Sequence, residues 1–544
     1  MVQELQIGGT RREAMTTASF LPTTRRARRY LSLRRPAAWL AGRARNPDTA
    51  LWLVISFAIV HGLLWTLILI KLKAAQDVHM DVAEAFAWGQ KFQLGYGKHP
   101  PLSGWVAGLW FHFFPVTDWA TYALAMTTIG IGLVICWFIS LRVVDHRRAF
   151  FVVVMLALYP IFNFKGFKYN PDLLQLVTLP LLVLAYLNAF EKRSWQSGIL
   201  LGLAGALALM TKYWVLTMIG AIGLAALIHP DRLKFLRAPA PWVGIATMLV
   251  AMIPHLIWLK EVDFLPLTYA GDVYGLSDRM QSAKLVAGYV SHNVALLALP
   301  VALAALALAF SPRWLKHAWG HGMPARLDTA QAINVWLIQL IVAIGPPLGG
   351  LAFKIYMKTD WGISLFFLVP LSLVAMPSLR VPAVALFRIT AIWLAASLAT
   401  LVAATPIATF EMANNPNGAN SYGARSQLAR ELTQAWHQRF GSQWAVVAAN
   451  TEIGEPMTFY SPDHPAPLTP GEVWASGLTS LEEAKRLGFI GICQTTDLQL
   501  ALCENWMKDN APNAERLVMT TQRFFEGYPG PAIEWKIYIQ PPAI

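Results

Sequence analysis

Long apolar stretches alternate with short polar breaks along most of this chain, from about residue 50 to about residue 404. Each stretch has roughly 17 to 25 residues, enough for a helix to cross a hydrocarbon core of roughly 30 Å. Such spans must be helical, because a helix satisfies its own backbone hydrogen bonds. The pattern predicts eleven spans: 50–71, 118–141, 149–163, 172–190, 197–211, 213–228, 241–259, 286–310, 330–352, 361–377 and 382–404.

Composition agrees with a chain that lies mostly in lipid. Hydrophobic residues make up 56%, charged residues 14%, and the mean hydropathy is +0.44. These values exclude a water-soluble surface for most of the chain. After about residue 405 the composition becomes that of a soluble domain with an α/β pattern. The pattern predicts helices at 424–440 and 481–487 and strands at 444–449, 488–493 and 534–539.

The net charge of +13 is concentrated at the amino terminus. Residues 1–49 hold ten Arg, no Lys and three acids, which predicts a cytoplasmic tail and argues against nucleic-acid binding. The other predicted cytoplasmic loops are also basic, with Arg142, Arg147, Arg148, Lys192, Arg193, Arg232, Lys234, Arg237, Arg313, Lys316, Arg326 and Arg380. An odd number of spans then places 405–544 outside as a periplasmic domain. The membrane domain is 50–404, and 72–117 is its first outer loop.

The three cysteines divide between the two regions. Cys136 lies in an apolar span, where it is expected to pack as a small hydrophobic residue. Cys493 and Cys503 lie in the polar tail, where a disulfide and two free thiols are equally compatible with the sequence. Neither Cys493 nor Cys503 has the spacing of a metal ligand. A divalent metal is possible, but the sequence does not support it or another cofactor.

The first outer loop carries the first candidate chemistry. Apolar residues at helical spacing predict two interfacial helices, one after Asp81 and one after the Pro pair Pro100-Pro101. Asp81 and Glu84 have the spacing of a capping box, so Asp81 could simply cap a helix. Asn170-Pro171-Asp172 likewise fits a helix start, with Asn as cap and Pro in the first turn. The functional alternative is that both aspartates are site carboxylates.

The functional alternative rests on what else lies at the predicted outer face. Lysines occur there although the basic loops are cytoplasmic: Lys91, Lys98, Lys165, Lys168, Lys354 and Lys358. Sugar transfer from a lipid phosphate requires a base for the acceptor hydroxyl and cations for the departing phosphate. The outer face supplies both kinds of group.

The segment from Asp81 to Trp105 resembles the GT-C glycosyltransferases that use polyprenyl-phosphate sugars. The branch contains protein mannosyltransferases, the lipid A aminoarabinose transferase and rhizobial galacturonosyltransferases. The matching residues are Asp81-Val82-Ala83-Glu84, Trp88, Leu94-Gly95-Tyr96 and Lys98-His99-Pro100-Pro101. Val82 stands where the family carries Glu, and Glu84 is close enough to compensate in part. Further similar segments are Asn170 to Leu174, Gly202 to Lys212 and, more loosely, Thr458 to Ser461.

The resemblance implies a polytopic α-helical GT-C fold and an inner-membrane transferase. Asp81 would be the catalytic base or the carboxylate that orients the acceptor, and Asp172 a second site acid. The donor phosphate would be contacted by Lys98 or His99, and Lys212 is a further candidate that could also snorkel for structural reasons. Independently of the resemblance, Lys358 at another outer span end could hold a lipid phosphate or be an interface anchor. Further substrate contacts are predicted at Glu84, Tyr96, Asp263, Tyr274 and Arg279. The donor would be a polyprenyl-phosphate sugar, and the acceptor lipid A or core, another glycan, a lipid or a protein.

Two other functions are open at this point. A secondary transporter would show internal repeats and charged groups near the membrane midplane. Here the acids and lysines gather at one interface and a soluble domain follows. A catalytically inactive family member acting in envelope assembly is the other alternative, because Val82 replaces an acid.

Overall fold

The structure is a computed structural model that describes residues 25–276, 278–309, 328–414, 419–472, 474–475 and 478–543. The amino-terminal part of the predicted tail and the predicted loop with Arg313, Lys316 and Arg326 lie outside the described residues.

Seven helices in these residues are long and apolar enough to cross a membrane. They are Pro47–Leu72 (α2), Asp118–Val143 (α5), Pro171–Lys192 (α7), Pro239–Glu261 (α11), Arg279–Ala309 (α13), Thr329–Phe353 (α14) and Ala383–Ala413 (α16). The shorter α-helices of this part are Arg25–Arg45 (α1), Met80–Gly89 (α3), Leu102–Phe113 (α4), His146–Ala157 (α6), Trp195–Leu209 (α8), Leu216–Ile228 (α9), Arg232–Leu236 (α10), Leu265–Tyr274 (α12) and Val369–Val374 (α15). The 3-10 helices are Pro160–Phe162, Phe164–Phe167, Tyr213–Val215 and Thr359–Phe366.

The prediction of eleven spans is therefore confirmed for seven helices of spanning length, and four predicted spans correspond to shorter elements. The span predicted at 149–163 contains α6, whose 12 residues reach about 18 Å. Its apolar side chains are buried among other helices. The span predicted at 361–377 is a 3-10 helix followed by α15. Apolar composition alone does not distinguish contact with lipid from burial inside protein.

The first outer loop forms two helices, as predicted, but they differ in their surroundings. In α3 the residues Val82–Gly89 are all buried, because protein rather than lipid covers this helix. In α4, Leu109 and Phe113 are exposed, as expected of an interfacial helix. The two helices touch at Gly89 and Gly108, where a Cβ on Gly89 would lie 2.5 Å from the Gly108 nitrogen.

The residues after α16 form a mixed five-stranded sheet with helices around it. The strands are Val446–Ala448 (β1), Ala466–Leu468 (β2), Phe489–Gln494 (β3), Glu515–Phe525 (β4) and Tyr528–Gln540 (β5). Their order is β2-β1-β3-β5-β4, with β1 parallel to both neighbours and β5 antiparallel to both of its own. The helices are Ala419–Tyr422 (α17), Arg425–Phe440 (α18), Thr451–Tyr460 (α19), Leu481–Leu487 (α20) and Leu500–Asn510 (α21). The helix α16 continues past the predicted boundary at residue 404.

A disulfide joins Cys493 at the end of β3 to Cys503 in α21, so the alternative of two free thiols is excluded in this structure. Cys136 is buried in the helical core, as predicted.

The carboxyl-terminal domain docks on the start of the first outer loop through a buried carboxylate. The side chain of Asp77 is fully buried and forms an ion pair with Arg523 of β4. It also accepts a hydrogen bond from the backbone nitrogen of Arg425 at 3.1 Å. Nearby, the backbone nitrogen of Val78 donates to the Tyr460 hydroxyl, which itself donates to Asp118. These contacts fix α3 between the membrane helices and the sheet domain.

We expect Arg523→Ala to lower the midpoint of thermal unfolding by several degrees. The substitution removes one partner of a buried ion pair, a change that typically costs about 3–5 kcal/mol. The matched control is Arg439→Ala, which removes an exposed pair with Glu515 and should cost about 0–1 kcal/mol. Intrinsic tryptophan fluorescence of the purified protein during heating measures both. Equal, small shifts for the two variants would show that the Asp77 pair does not hold the domains together.

Candidate active site

Asp81 lies in the first turn of α3, but it is not the residue that caps this helix. The cap is His79, whose Nδ1 accepts a hydrogen bond from the backbone nitrogen of Asp81 at 3.1 Å. The capping-box interpretation of Asp81 and Glu84 is therefore wrong. The carboxylate of Asp81 is therefore not used to cap α3 and can contact other residues.

The contacts of Asp81 come from the segment just before α7. Asn170 Nδ2 donates to Asp81 Oδ2 at 2.8 Å, and Lys168 Nζ lies 3.5 Å from the same oxygen. Burial opposes ionisation of Asp81, but the charges of His79 and Lys168 and the Asn170 hydrogen bond outweigh it and hold its pKa well below the usual range. Burial in turn lowers the pKa of His79 to about 4. Lys168 is thus the neighbouring cation that acts at neutral pH.

Asp172 occupies the first turn of α7 and is joined to Lys212. Asn170 caps this helix by accepting from the backbone nitrogen of Leu173 at 2.9 Å, as predicted. The Asp172 carboxylate accepts from Lys212 Nζ at 2.8 and 2.9 Å. The same ammonium lies 5.0 Å from the centre of the Trp361 ring. Both Lys212 and Asp172 therefore belong to one ion pair beside Asp81.

Glu84 and Lys98 form a buried ion pair behind Asp81. Their side chains are 5% and 12% exposed, so this ammonium is already matched by a carboxylate and shielded from solvent. The prediction that Lys98 contacts a donor phosphate would require it to leave Glu84. Val82 lies in an apolar cluster with Phe86 and Phe459 of α19. An acid in place of Val82 would be buried among these apolar groups.

A further charged cluster joins the 3-10 helices Phe164–Phe167 and Thr359–Phe366 with α13. Lys165 Nζ is 3.4 Å from Asp360 Oδ1 and 3.3 Å from His292 Nε2. Lys358 is exposed and forms no ion pair within the described part of the chain. Its charge nevertheless acts on His79 and on His99, so it faces the Asp81 region.

His99 lies between these groups and is neutral at pH 7. Burial, followed by the charges of Lys212 and Lys98, lowers its pKa well below the usual value. A neutral imidazole can hydrogen bond to a substrate but adds no positive charge for a phosphate. Any role of His99 at the donor would therefore be that of a hydrogen-bonding group.

The remaining residues predicted to contact substrate differ in where the structure places them. Tyr96 uses its hydroxyl within the loop, 2.8 Å from the carbonyl oxygens of Trp88 and Lys91. Tyr274 shares a 2.8 Å hydrogen bond with Tyr269, and its ring lies 4.9 Å from that of Trp361. Asp263 and Arg279 are exposed at the outer ends of α11 and α13. Among the described residues, neither forms an ion pair with the cluster.

Sequence patterns alone missed several partners in this cluster. Lys168 appeared only as an outer lysine and Asn170 only as a helix cap, while His292 and Glu455 were not recognised. Glu455 lies in α19, close to the loosely matching segment Thr458 to Ser461. A charged residue in a helix that is otherwise buried was the signal that could have identified it. Within the described ranges, no group of three or more His, Cys, Asp or Glu side chains is arranged to hold a metal ion.

Comparison with known proteins gives three findings. The family described as dolichyl-phosphate-mannose-protein mannosyltransferase matches residues 98–258. The lipid A galacturonosyltransferase RgtD of Rhizobium johnstonii is 23% identical over 245 residues, which cover 42% of this chain and 47% of that protein. The match thus spans about half the length of that relative.

Crystal structures of ArnT from Cupriavidus metallidurans, one bound to undecaprenyl phosphate and one in the apo state, share the fold of this chain. Both superpose with a TM-score of 0.56 at 11% identity and cover 90% of this chain. They are covered over 98% and 97% of their own length, respectively. The family match, the curated relative and the shared fold all agree with the resemblance to GT-C glycosyltransferases found in the sequence.

Proposed function

We propose that this chain transfers a sugar from a polyprenyl-phosphate donor to an envelope glycolipid at the periplasmic face of the inner membrane. The name of RgtD specifies lipid A, and the ArnT structure holds undecaprenyl phosphate. We infer the same classes of acceptor and donor here. The proposal depends on one observation: the ionised Asp81 is paired with Lys168, and Lys358 lies in the same region. Lys358 is exposed and forms no ion pair among the described residues.

The charges around Asp81 suit a phosphate-bearing donor. Lys168, Lys212 and Lys98 are each matched by one carboxylate, whereas Lys358 is exposed beside them. An ammonium without an internal counter-ion is the group that gains most from a phosphate, because no existing pair must be broken. We therefore assign the first donor-phosphate contact to Lys358.

Asp81 would act on the acceptor hydroxyl. With Lys168 at 3.5 Å its carboxylate stays ionised, so it accepts a hydrogen bond and orients the hydroxyl, but it is a weak base. When the donor phosphate draws Lys168 away, the pKa of Asp81 rises. The hydroxyl oxygen then bonds to the anomeric carbon as the bond from that carbon to the phosphate oxygen breaks. The proton passes to Asp81, polyprenyl phosphate leaves with the electron pair, and the anomeric configuration inverts.

The periplasmic location of the site is part of the same proposal. The disulfide between Cys493 and Cys503 suits an oxidising compartment, and the carboxyl-terminal domain that contains it docks beside Asp81. Basic residues such as Arg142 and Lys192 end α5 and α7 at the opposite ends from Asp118 and Asp172. Such residues favour the cytoplasmic side.

We expect Asp81→Asn to lower sugar transfer by about 10²-fold or more, since the amide cannot take up the acceptor proton. Mass spectrometry of envelope glycolipids from cells with the wild-type protein, the variant or a deletion measures the transfer. The matched control is Asp231→Asn, which changes an acid paired with the exposed Lys234 far from the site. Full restoration of the missing sugar by Asp81→Asn would remove Asp81 from the mechanism. Accumulation of a solute in vesicles without any lost sugar in the deletion would instead support a transporter.

We expect Lys358→Met to weaken binding of undecaprenyl phosphate by about tenfold or more, the usual loss for a charge-assisted hydrogen bond. Lys358→Arg keeps the charge and should retain most of the affinity. Titration of the purified protein in detergent with undecaprenyl phosphate, followed by native mass spectrometry, gives the affinities. Lys234→Met serves as the control for loss of an exposed lysine. Unchanged affinity for Lys358→Met would move the phosphate site to another lysine.

A further inference from the structure

The carboxyl-terminal domain inserts a second buried carboxylate behind the site. Glu455 lies in α19, its residue is 2% exposed, and one carboxyl oxygen has no hydrogen-bond partner among the described residues. Its charge acts on Lys98, and the charge of Glu84 acts on it, so Glu455 interacts electrostatically with the ion pair formed by Glu84 and Lys98. The two halves of this cluster thus come from different domains.

The packing around the cluster is apolar and close. The ring of Phe86, two residues after Glu84, meets Phe459 of α19 edge to face with 5.5 Å between ring centres. Phe86 also meets His464 at 5.1 Å. Phe459 is itself buried. This packing excludes water, so charges in the cluster must be balanced within the protein.

The cluster holds two carboxyl groups for one ammonium. If Glu84 and Glu455 were both ionised, one negative charge would be buried without a partner, which proteins avoid by retaining a proton. Burial raises the pKa of Glu84 to about 7, although Lys98 opposes the shift. Burial and then the charge of Glu84 raise the pKa of Glu455 well above its usual value. Interacting carboxyl groups of this kind titrate as a pair, and both shifts favour the retention of a proton by that pair.

Other titratable groups face the cluster but do not supply the missing positive charge. Glu472, in the loop after β2, and Asp81 add negative charge and favour the shared proton. Tyr269 of α12 acts on Lys98. The nearest cation to Asp81 is Lys168, which is already paired.

We propose that Glu455 is a positioning residue of the active site: sharing one proton with Glu84, it closes the carboxyl-terminal domain on Lys98 and so fixes the loop that carries His99. This proposal rests on the proposed function of the Asp81 site. His99 feels the charges of Lys212, Lys98 and Asp81, so displacement of its loop would alter the groups around the acceptor. The carboxyl-terminal domain is then part of the catalytic unit.

The proposal gives a definite pH dependence. A carboxyl group whose pKa is raised in the docked state stabilises docking at low pH, and that stabilisation is lost as pH rises through the raised pKa. For Glu84 this stabilisation is complete below the unfolded pKa of 4.5 and is lost progressively as pH rises to its folded pKa of about 7. The raised pKa of Glu455 extends the loss to higher pH. Docking and transfer should therefore both decline on the alkaline side.

The first test measures thermal unfolding of the purified full-length protein between pH 5 and pH 9. The midpoint of the wild type should fall with rising pH more steeply than that of Glu455→Gln, because the amide imitates the protonated acid at every pH. Glu84→Gln should also flatten the profile, since Glu455 can then ionise and pair with Lys98. The double variant leaves Lys98 without these two carboxylates and should be destabilised at every pH. Glu482→Gln, at an exposed position in α20, should follow the wild type.

The second test measures the missing sugar on envelope glycolipids across the same pH range, in membranes from the same cells. In Glu455→Gln the alkaline decline of transfer should be smaller than in the wild type, because the amide does not ionise. If the unfolding midpoint of Glu455→Gln depended on pH as that of the wild type does, the shared proton would be overturned. A changed unfolding profile with an unchanged transfer profile would overturn the positioning role. Absence of transfer in the wild type would refute the proposed function, while the unfolding experiment would still decide the shared proton.

Discussion

The cluster around Asp81 depends on the balance of charges in a region that water reaches poorly. Asp81 is matched by Lys168, Asp172 by Lys212, Glu84 by Lys98 and Asp360 by Lys165. Removing a charge from water is expensive unless an opposite charge lies close by. The pairs offset that cost for the acids that lie beside the membrane helices.

The same balance explains how the two domains act together. Asp77 needs Arg523, and the Glu84 and Lys98 pair faces Glu455, so both contacts pair a group of the first outer loop with one from the sheet domain. The helix α3 is buried because it lies between the domains. Val82, which departs from the family pattern, lies on the apolar side of that contact. An apolar residue at position 82 is therefore explained by the docking of the two domains and not by a catalytic role.

The pairing also separates lysines that look alike in the sequence. Lys98 lies in the motif that resembles the family, yet its ammonium is buried against Glu84. Lys358 has a weaker motif, yet it is exposed and forms no ion pair among the described residues. Whether a lysine can receive a phosphate depends on what already neutralises it. That property cannot be read from its neighbours along the chain.

The sequence by itself determined the features that depend on nearby residues. Apolar stretches specified the seven long helices, and Asn170 with Pro171 specified the start of α7, because helix length and capping are local. The motif from Asp81 to Trp105 indicated the superfamily. Other predictions failed where distant contacts decide: 149–163 holds a short buried helix, and His79 rather than Asp81 caps α3.

Only the tertiary structure decided which charges meet. Lys212 and Asp172 are 40 residues apart, and Asn170 and Asp81 are 89 residues apart. Glu455 reaches the first outer loop only because the sheet domain docks there. Electrostatic energy falls with distance in space and not with separation along the chain. The fold therefore determines which carboxylates are ionised, which lysine is exposed and where a shared proton is held.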